Sequence, residues 1–435
     1  MSTNLEHLWM PFSANRGFKS EPRLMNEAKG MYYKKLDGTK VMDGTAGLWC
    51  CNAGHGNEKI VKAIQDQAAK LDFAPSFQMG HPLAFEAAEK LLSIAPSNDF
   101  QYTFFTNSGS EAVDTALKIA LGYQHHRGKT DKTILIGRER AYHGVGFGGI
   151  SVGGLPLNKK HFSLLPSVDH ICATHNLEKN AFSKGQPEWG KELAEDLLQV
   201  IEKHGADKIA AFITEPLAGS TGVLVPPKGY LERIREICTQ NDILLIFDEV
   251  ITGFGRLGAP FAAQYFDVEP DMITCAKGLT SGTIPMGAVL VKKEIYDAFQ
   301  DGDANSIDLF HGYTYSAHPM AAAALIASLD VYTEDNLFER TNELASYWED
   351  ALHSLKGTSH VIDIRNLGLV AGIEMSPREG SPGTRGYDVF TDGFHNHNLL
   401  LRITGDTLAL SPPLIVEKDH IDQIIDILKK IIPTH

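Results

Sequence analysis

Residues 243–250 read ILLIFDEV and residues 272–279 read MITCAKGL. Each is a short apolar run that ends on charge: Ile243–Phe247 stops at Asp248, and Met272–Cys275 stops at Ala276-Lys277. Runs of four or five such residues are the pattern of strands covered on both faces. Tyr102–Phe105, Thr133–Ile136, Ile209–Ile213 and Ala288–Val291 share it. Between several of them lie stretches with helical spacing of apolar positions, such as Glu111–Tyr123, Lys191–His204 and Tyr230–Gln240. Strands alternating with helices predict an α/β fold with a mostly parallel central sheet.

Away from this centre the composition changes. Residues 31–43, MYYKKLDGTKVMD, predict a hairpin turning at Asp37-Gly38. After Pro319 come two long helical patterns, strand-like pieces around Val361–Ile364, Val370–Glu374 and Leu399–Ile403, and a last helix over Lys418–Ile432. The expectation is a large α/β domain over residues 51–319 and a smaller α+β domain built from residues 1–50 and 320–435. A cleft between two such domains is a usual place for a ligand.

Composition excludes several classes of partner. Asp and Glu outnumber Lys and Arg 54 to 40, a formal net charge of -14. Nucleic acid, which needs cations to replace its counterions, is not an expected partner. Asn4, Glu6 and Arg16 interrupt any apolar start, so no secretory or organellar signal is expected. The longest apolar stretch, Met320–Leu329, is alanine-rich and too short for a bilayer. The five cysteines are an odd number without paired spacing, and Cys50 and Cys51 are adjacent. That pattern predicts reduced thiols in a cytoplasmic protein. The 18 histidines form no HExxH, and no metal is assigned.

Open α/β sheets place ligands beyond the carboxyl ends of their strands. After Tyr102–Phe105 comes Thr106-Asn107-Ser108-Gly109-Ser110-Glu111, opening a helix. Free N–H groups at such a start, with the helix dipole, make a phosphate seat, although an ordinary serine N-cap has the same sequence. Asp248, at the end of an apolar strand, needs a positive partner or donors; a protonated pyridine nitrogen is one, a neighbouring loop another. Lys277 follows 29 positions later, about one strand-helix-strand unit, so the two side chains can share a cleft. Burial lowers a lysine's pKa and leaves the nucleophilic amine that Schiff-base chemistry requires.

Two other motifs compete. Gly144–Gly149 fits GxGxxG with Asp169 twenty positions on, but RER and Ala141-Tyr142-His143 separate it from the nearest strand. Gly149-Ile150-Ser151-Val152-Gly153 fits the GxSxG elbow of hydrolases and also lacks a leading strand. A flexible glycine-rich segment accounts for both.

With these residues assembled, the chain resembles the class III, or ω-amino acid, transaminases of pyridoxal-phosphate fold type I. It is most similar to their β-alanine:pyruvate (ω-amino acid:pyruvate) branch. The resemblance runs nearly end to end, through DGTAGLWCCNAGHG, TNSGSEAVDTALKIA, IGRERAYHGVGFGGISVGG, EPLAGSTGVLVPPKGYL, LLIFDEVITGFGRLG, AKGLTSGTIPMGAV and FHGYTYSAHP. It implies that Lys277 holds pyridoxal 5'-phosphate as a Schiff base and shuttles the proton, while Asp248 keeps the pyridine nitrogen protonated. Gly109 and Ser110, with Ser108 nearby, would bind the phosphate, which Thr314 of a second subunit would also reach. Tyr142 and Val250 would cover the two ring faces, with His143 and Glu215 beside the cofactor. Arg402 would bind the substrate carboxylate, and Trp49, Leu48 and Phe77 would line the pocket.

The reaction implied is transfer of an amino group in two half-reactions. An ω-amino acid such as β-alanine would leave as a semialdehyde, and pyruvate would leave as L-alanine. Taurine, aminobutyrate and arylalkylamine donors stay open, as do an aminomutase or decarboxylase with the same lysine. Shared sites imply at least a homodimer, with a homotetramer open as well. Alanine before Tyr142, glycine after Lys277 and Cys51 after Cys50 depart from the branch pattern and bear on substrate preference.

Overall fold

A computed structural model describes residues 4–435. Near the N-terminus β1 (Glu27–Lys29), β2 (Tyr32–Lys34) and β3 (Lys40–Asp43) form an antiparallel meander, with the expected turn between β2 and β3. The middle of the chain supplies β4 (Phe100–Thr106), β5 (Ile134–Arg138), β6 (Val168–Ile171), β7 (Ile209–Thr214), β8 (Leu244–Asp248), β9 (Met272–Cys275) and β10 (Gly287–Lys292). These make one seven-stranded sheet in the order β4-β10-β9-β8-β7-β5-β6.

The pairs β6–β5, β5–β7, β7–β8 and β8–β9 are parallel, and β10 runs antiparallel to both its neighbours. β4, β5, β7, β8 and β9 therefore all end at one edge of the sheet. Every residue of β7, β8 and β9 is buried, as their uninterrupted apolar runs require. Helices cover the faces: Tyr230–Gln240 buries Leu231, Ile234, Ile237 and Cys238, one stripe at helical spacing.

Beyond the Pro319–Glu334 and Leu337–His353 helices come β11 (Val361–Leu367) and β12 (Val370–Met375). The predicted strand Leu399–Ile403 is in fact two. β13 (Leu399–Leu400) pairs in parallel with β3, whereas β14 (Arg402–Thr404) pairs with β15 (Thr407–Leu410) in a separate sheet ordered β11-β12-β15-β14. Its backbone finds different partners on either side of the buried Leu401, so no continuous ladder forms.

The pieces share a core. The largest apolar cluster runs from Met31 to Ile432, and the Pro319–Glu334 helix packs on the Glu58–Lys70 and Pro82–Leu92 helices. One buried cation ties them further. Arg256 donates through Nη1 to the carbonyls of Leu369 (3.1 Å) and Pro412 (2.6 Å), and through Nη2 to Asn52 Oδ1 (3.0 Å). Burial lowers its pKa to about 10, with Tyr332 and Asp43 opposing the shift. Arg256→Ala strands three buried acceptors and is expected to cost at least about 3 kcal/mol, read as the urea unfolding midpoint. Arg256→Lys, whose donors sit on one nitrogen and lack the guanidinium's spread, is expected to recover only part of that loss.

Candidate active site

Five strand ends deliver side chains to the common edge. Lys277 opens a single 3-10 turn after β9, its backbone at φ +50°. Its side chain is half-buried, and desolvation lowers the pKa of the ammonium against the pull of Asp248. It lines a cavity of about 130 Å³ together with Asp248, Glu215, Tyr142, His143, Val250, Gly109 and Ser110.

Asp248, the last residue of β8, is buried. Its Oδ2 lies 2.8 Å from His143 Nδ1, and its Oδ1 accepts the Val250 N–H at 3.1 Å. His143 Nε2 is buried without a hydrogen-bond partner among the described residues. The adjacent Glu249 turns away from the cavity, accepting from Thr252 Oγ1 and the N–H groups of Ala262 and Ala263. Glu215, just past β7, accepts the Tyr142 N–H at 2.9 Å, and burial raises its pKa to about 7.

β4 leads into the Gly109–His126 helix. Ser108 is its N-cap, with Oγ accepting the Glu111 N–H at 3.2 Å, so the capping reading holds. Helix geometry leaves the N–H groups of this first turn unused within the helix, pointing out of its start. A Cβ at Gly109 would stand 2.9 Å from the Val250 methyls, a close approach that only glycine allows. Ser110 Oγ accepts the Val145 N–H at 3.1 Å. Ser108 itself lines a neighbouring cavity of about 240 Å³ that also reaches Lys277 and Gly282.

Other predicted residues lie further out. Trp49 is 2% exposed and sits in an apolar cluster with Leu217 and Ile251, which line the cavity, so its indole belongs to the second layer of the wall. Leu48 and Phe77 are 61% and 59% exposed, and Thr314 is exposed as well. None of these three lines the cavity within this chain. Arg402 is half-buried, its pKa lowered by desolvation and raised by Tyr142. Leu217 and Ile251 escaped sequence reasoning, although they neighbour Glu215 and Val250 in the same motifs.

The competing motifs have structural explanations. Ser151 lies in the short Phe147–Val152 helix, where its Oγ donates to the Phe147 carbonyl (2.6 Å) and accepts the Leu165 N–H (2.9 Å). The Gly144–Gly149 segment, which runs into that helix, folds against Asp114 and Ser110, and Asp169 is held by Lys203 and His204. His175, Asp363 and Glu374 cluster as metal ligands can. The Arg365 guanidinium pairs with both carboxylates, making the group an ion-pair network.

The family model described as aminotransferase class-III matches residues 13–432. The chain belongs to the class III aminotransferases. An omega-aminotransferase of Caulobacter vibrioides is 58% identical to it, over 99% of this chain and 98% of that protein. A beta-alanine–pyruvate aminotransferase of Pseudomonas aeruginosa is 47% identical, over 97% and 94%. The omega transaminase of Pseudomonas jessenii, solved in complex with PMP, superposes with a TM-score of 0.90 at 31% identity, covering 99% of this chain and 98% of that one.

Class III aminotransferases use pyridoxal phosphate, and the residues present fit it. A half-buried amine, a carboxylate held by donors and a glycine-walled helix start meet in one cavity, with Tyr142 on its wall.

Glu215 keeps its proton in the folded aminotransferase to about pH 7, against an ordinary value of 4.5. Between these values the folded state binds more protons than the unfolded one, so stability falls as pH rises. Glu215→Gln, which retains an oxygen for Tyr142, is expected to remove about 3 kcal/mol of that loss between about pH 5 and pH 8. Urea unfolding of the cofactor-free protein measures it, and an unchanged slope contradicts the assignment.

Proposed function

We propose that this aminotransferase moves the amino group of an ω-amino acid, β-alanine above all, to pyruvate, releasing a semialdehyde and L-alanine. One observation carries the reading. Arg402 Nε is buried without a hydrogen-bond partner among the described residues, and no acidic side chain is paired with the guanidinium there. A half-buried guanidinium whose Nε is left without a partner is costly, and a ligand carboxylate satisfies it with two parallel hydrogen bonds. Both β-alanine and pyruvate carry one. The names of the omega-aminotransferase and beta-alanine–pyruvate relatives support the same substrate class.

Pyridoxal phosphate, when bound, supplies the sink for the electron pair released at the reacting carbon. The chain does the rest. Lys277 would anchor the cofactor and carry the proton away from and back to that carbon, its lowered pKa suiting both tasks. Asp248, held by His143, would meet the pyridine nitrogen. Gly109 and Ser110, on the start capped by Ser108, would hold the phosphate. Tyr142 and Val250 would flank the ring, Glu215 fixes the Tyr142 backbone, and Trp49 would back the substrate wall.

Thr314, Phe77 and Leu48 make sense at an interface. We propose a homodimer, itself able to pair into a homotetramer, in which Thr314 reaches the partner's phosphate while Phe77 and Leu48 close the pocket. The exposed Met79, Phe85 and Phe310, at 68%, 74% and 88%, support such a surface. The division into residues 51–319 and the combined ends 1–50 and 320–435, and a cytoplasmic setting for the five free thiols, belong to the same proposal.

Arg402→Ala is expected to lower kcat/KM for β-alanine and for pyruvate by about 100-fold, equivalent to about 2.7 kcal/mol, while sparing an arylalkylamine donor that lacks a carboxylate. Single-turnover loss of the cofactor band reads each half-reaction. The role is wrong if Arg402→Ala leaves both carboxylate substrates unaffected while Lys277→Ala abolishes turnover. Borohydride is expected to fix the cofactor to the Lys277 peptide in the native enzyme and to none in Lys277→Ala.

A further inference from the structure

Cys50 and Cys51 take no part in this scheme. Both are free and partly buried, and their sulfurs stand 3.8 Å apart. They face the same two positions without side chains. A Cβ at Gly47 would lie 3.6 Å from Cys50 Sγ and 3.3 Å from Cys51 Sγ, and one at Gly282 would lie 3.0 Å and 3.2 Å from them. The Gly282 N–H donates to the Lys277 carbonyl at 3.1 Å, so the thiols border the turn that carries the lysine.

The spacing is that of a thiol–thiol hydrogen bond, and it also fits a ligand chemistry. Two sulfurs at about 2.3 Å from one tetrahedral zinc ion stand about 3.8 Å from each other. A disulfide would bring them to about 2.05 Å, nearly halving the separation seen. We propose that Cys50 and Cys51 form a two-thiolate site for a soft divalent cation, zinc or cadmium. Binding releases two thiol protons and forms two metal–sulfur bonds, with no change of oxidation state. Asp43 is no third ligand, because its carboxylate already accepts the N–H groups of Thr45 (2.9 Å) and Gly47 (2.7 Å) and pairs with His55 Nε2 (2.7 Å). Water completes the tetrahedron, with the Tyr33 hydroxyl, 3.1 Å from the Gly47 Cβ position, available to hold it. Spaced ligand motifs are the usual guide to such sites, and an adjacent cysteine pair matches none of them.

Cadmium chloride added to the holoenzyme is expected to raise the ultraviolet cadmium–thiolate band to saturation at one ion per chain, with zinc displacing it. Cys50→Ser and Cys51→Ser are each expected to weaken binding at least about tenfold, and the double variant to lose the band. A measurement on the native holoenzyme needs no variant: saturating cadmium should shield both cysteines from iodoacetamide while Cys172 is labelled at its metal-free rate, read by peptide mass spectrometry. A band that persists in the double variant, or equal labelling of Cys50 and Cys51 with and without cadmium, overturns the proposal.

Discussion

Asp248 ends a strand whose every residue is buried, so its charge is tolerable only where donors meet it. His143 reaches it from the loop after β5, and the Val250 N–H closes on its other oxygen. The order of the sheet follows this need. β8 lies between β7 and β9, so Asp248 emerges with Glu215 on one side and Lys277 on the other. Opposite charges on neighbouring strands offset the desolvation that either would suffer alone, leaving a lysine with a lowered pKa close to a carboxylate.

Precise delivery also requires that the rest of the chain not slide. Arg256 supplies a fixed point, joining Asn52 near the N-terminus to Leu369 and Pro412 in the C-terminal segments. The backbone at Lys277 adds a second constraint. A left-handed conformation in a residue with a side chain costs about 1 kcal/mol or more, and it persists because packing on every side holds it.

The centre of the fold was legible because strands covered on both faces leave uninterrupted apolar runs, and the intervening helices are set by local spacing. The edge strand β6 was not, since it pairs on one side only and carries Asp169 and His170. The reversal of β10 was invisible for a different reason, because an apolar run has no direction. Lys277 and Asp248 stood out as charges placed where charge is costly. The His143–Asp248 hydrogen bond did not, spanning 105 residues with nothing in either segment to announce the other. Arg402, Phe77 and Thr314 drew their meaning from resemblance alone. An arginine in a short strand and exposed loop residues look alike whether or not they meet a ligand.

The break at Leu401 has a mechanical consequence. β13 is tied to β3, β14 is tied to β15, and a single buried residue joins them, so Arg402 begins the far arm of a short lever. The guanidinium is carried by the β14–β15 ladder alone, while the β13–β3 ladder fixes the chain as far as Leu400. The N-terminal meander thereby helps set where the arginine's strand begins, without pairing with that strand. Substitutions in residues 27–43 can therefore shift that starting point while the strand end that carries Lys277, in a different sheet, stays in place.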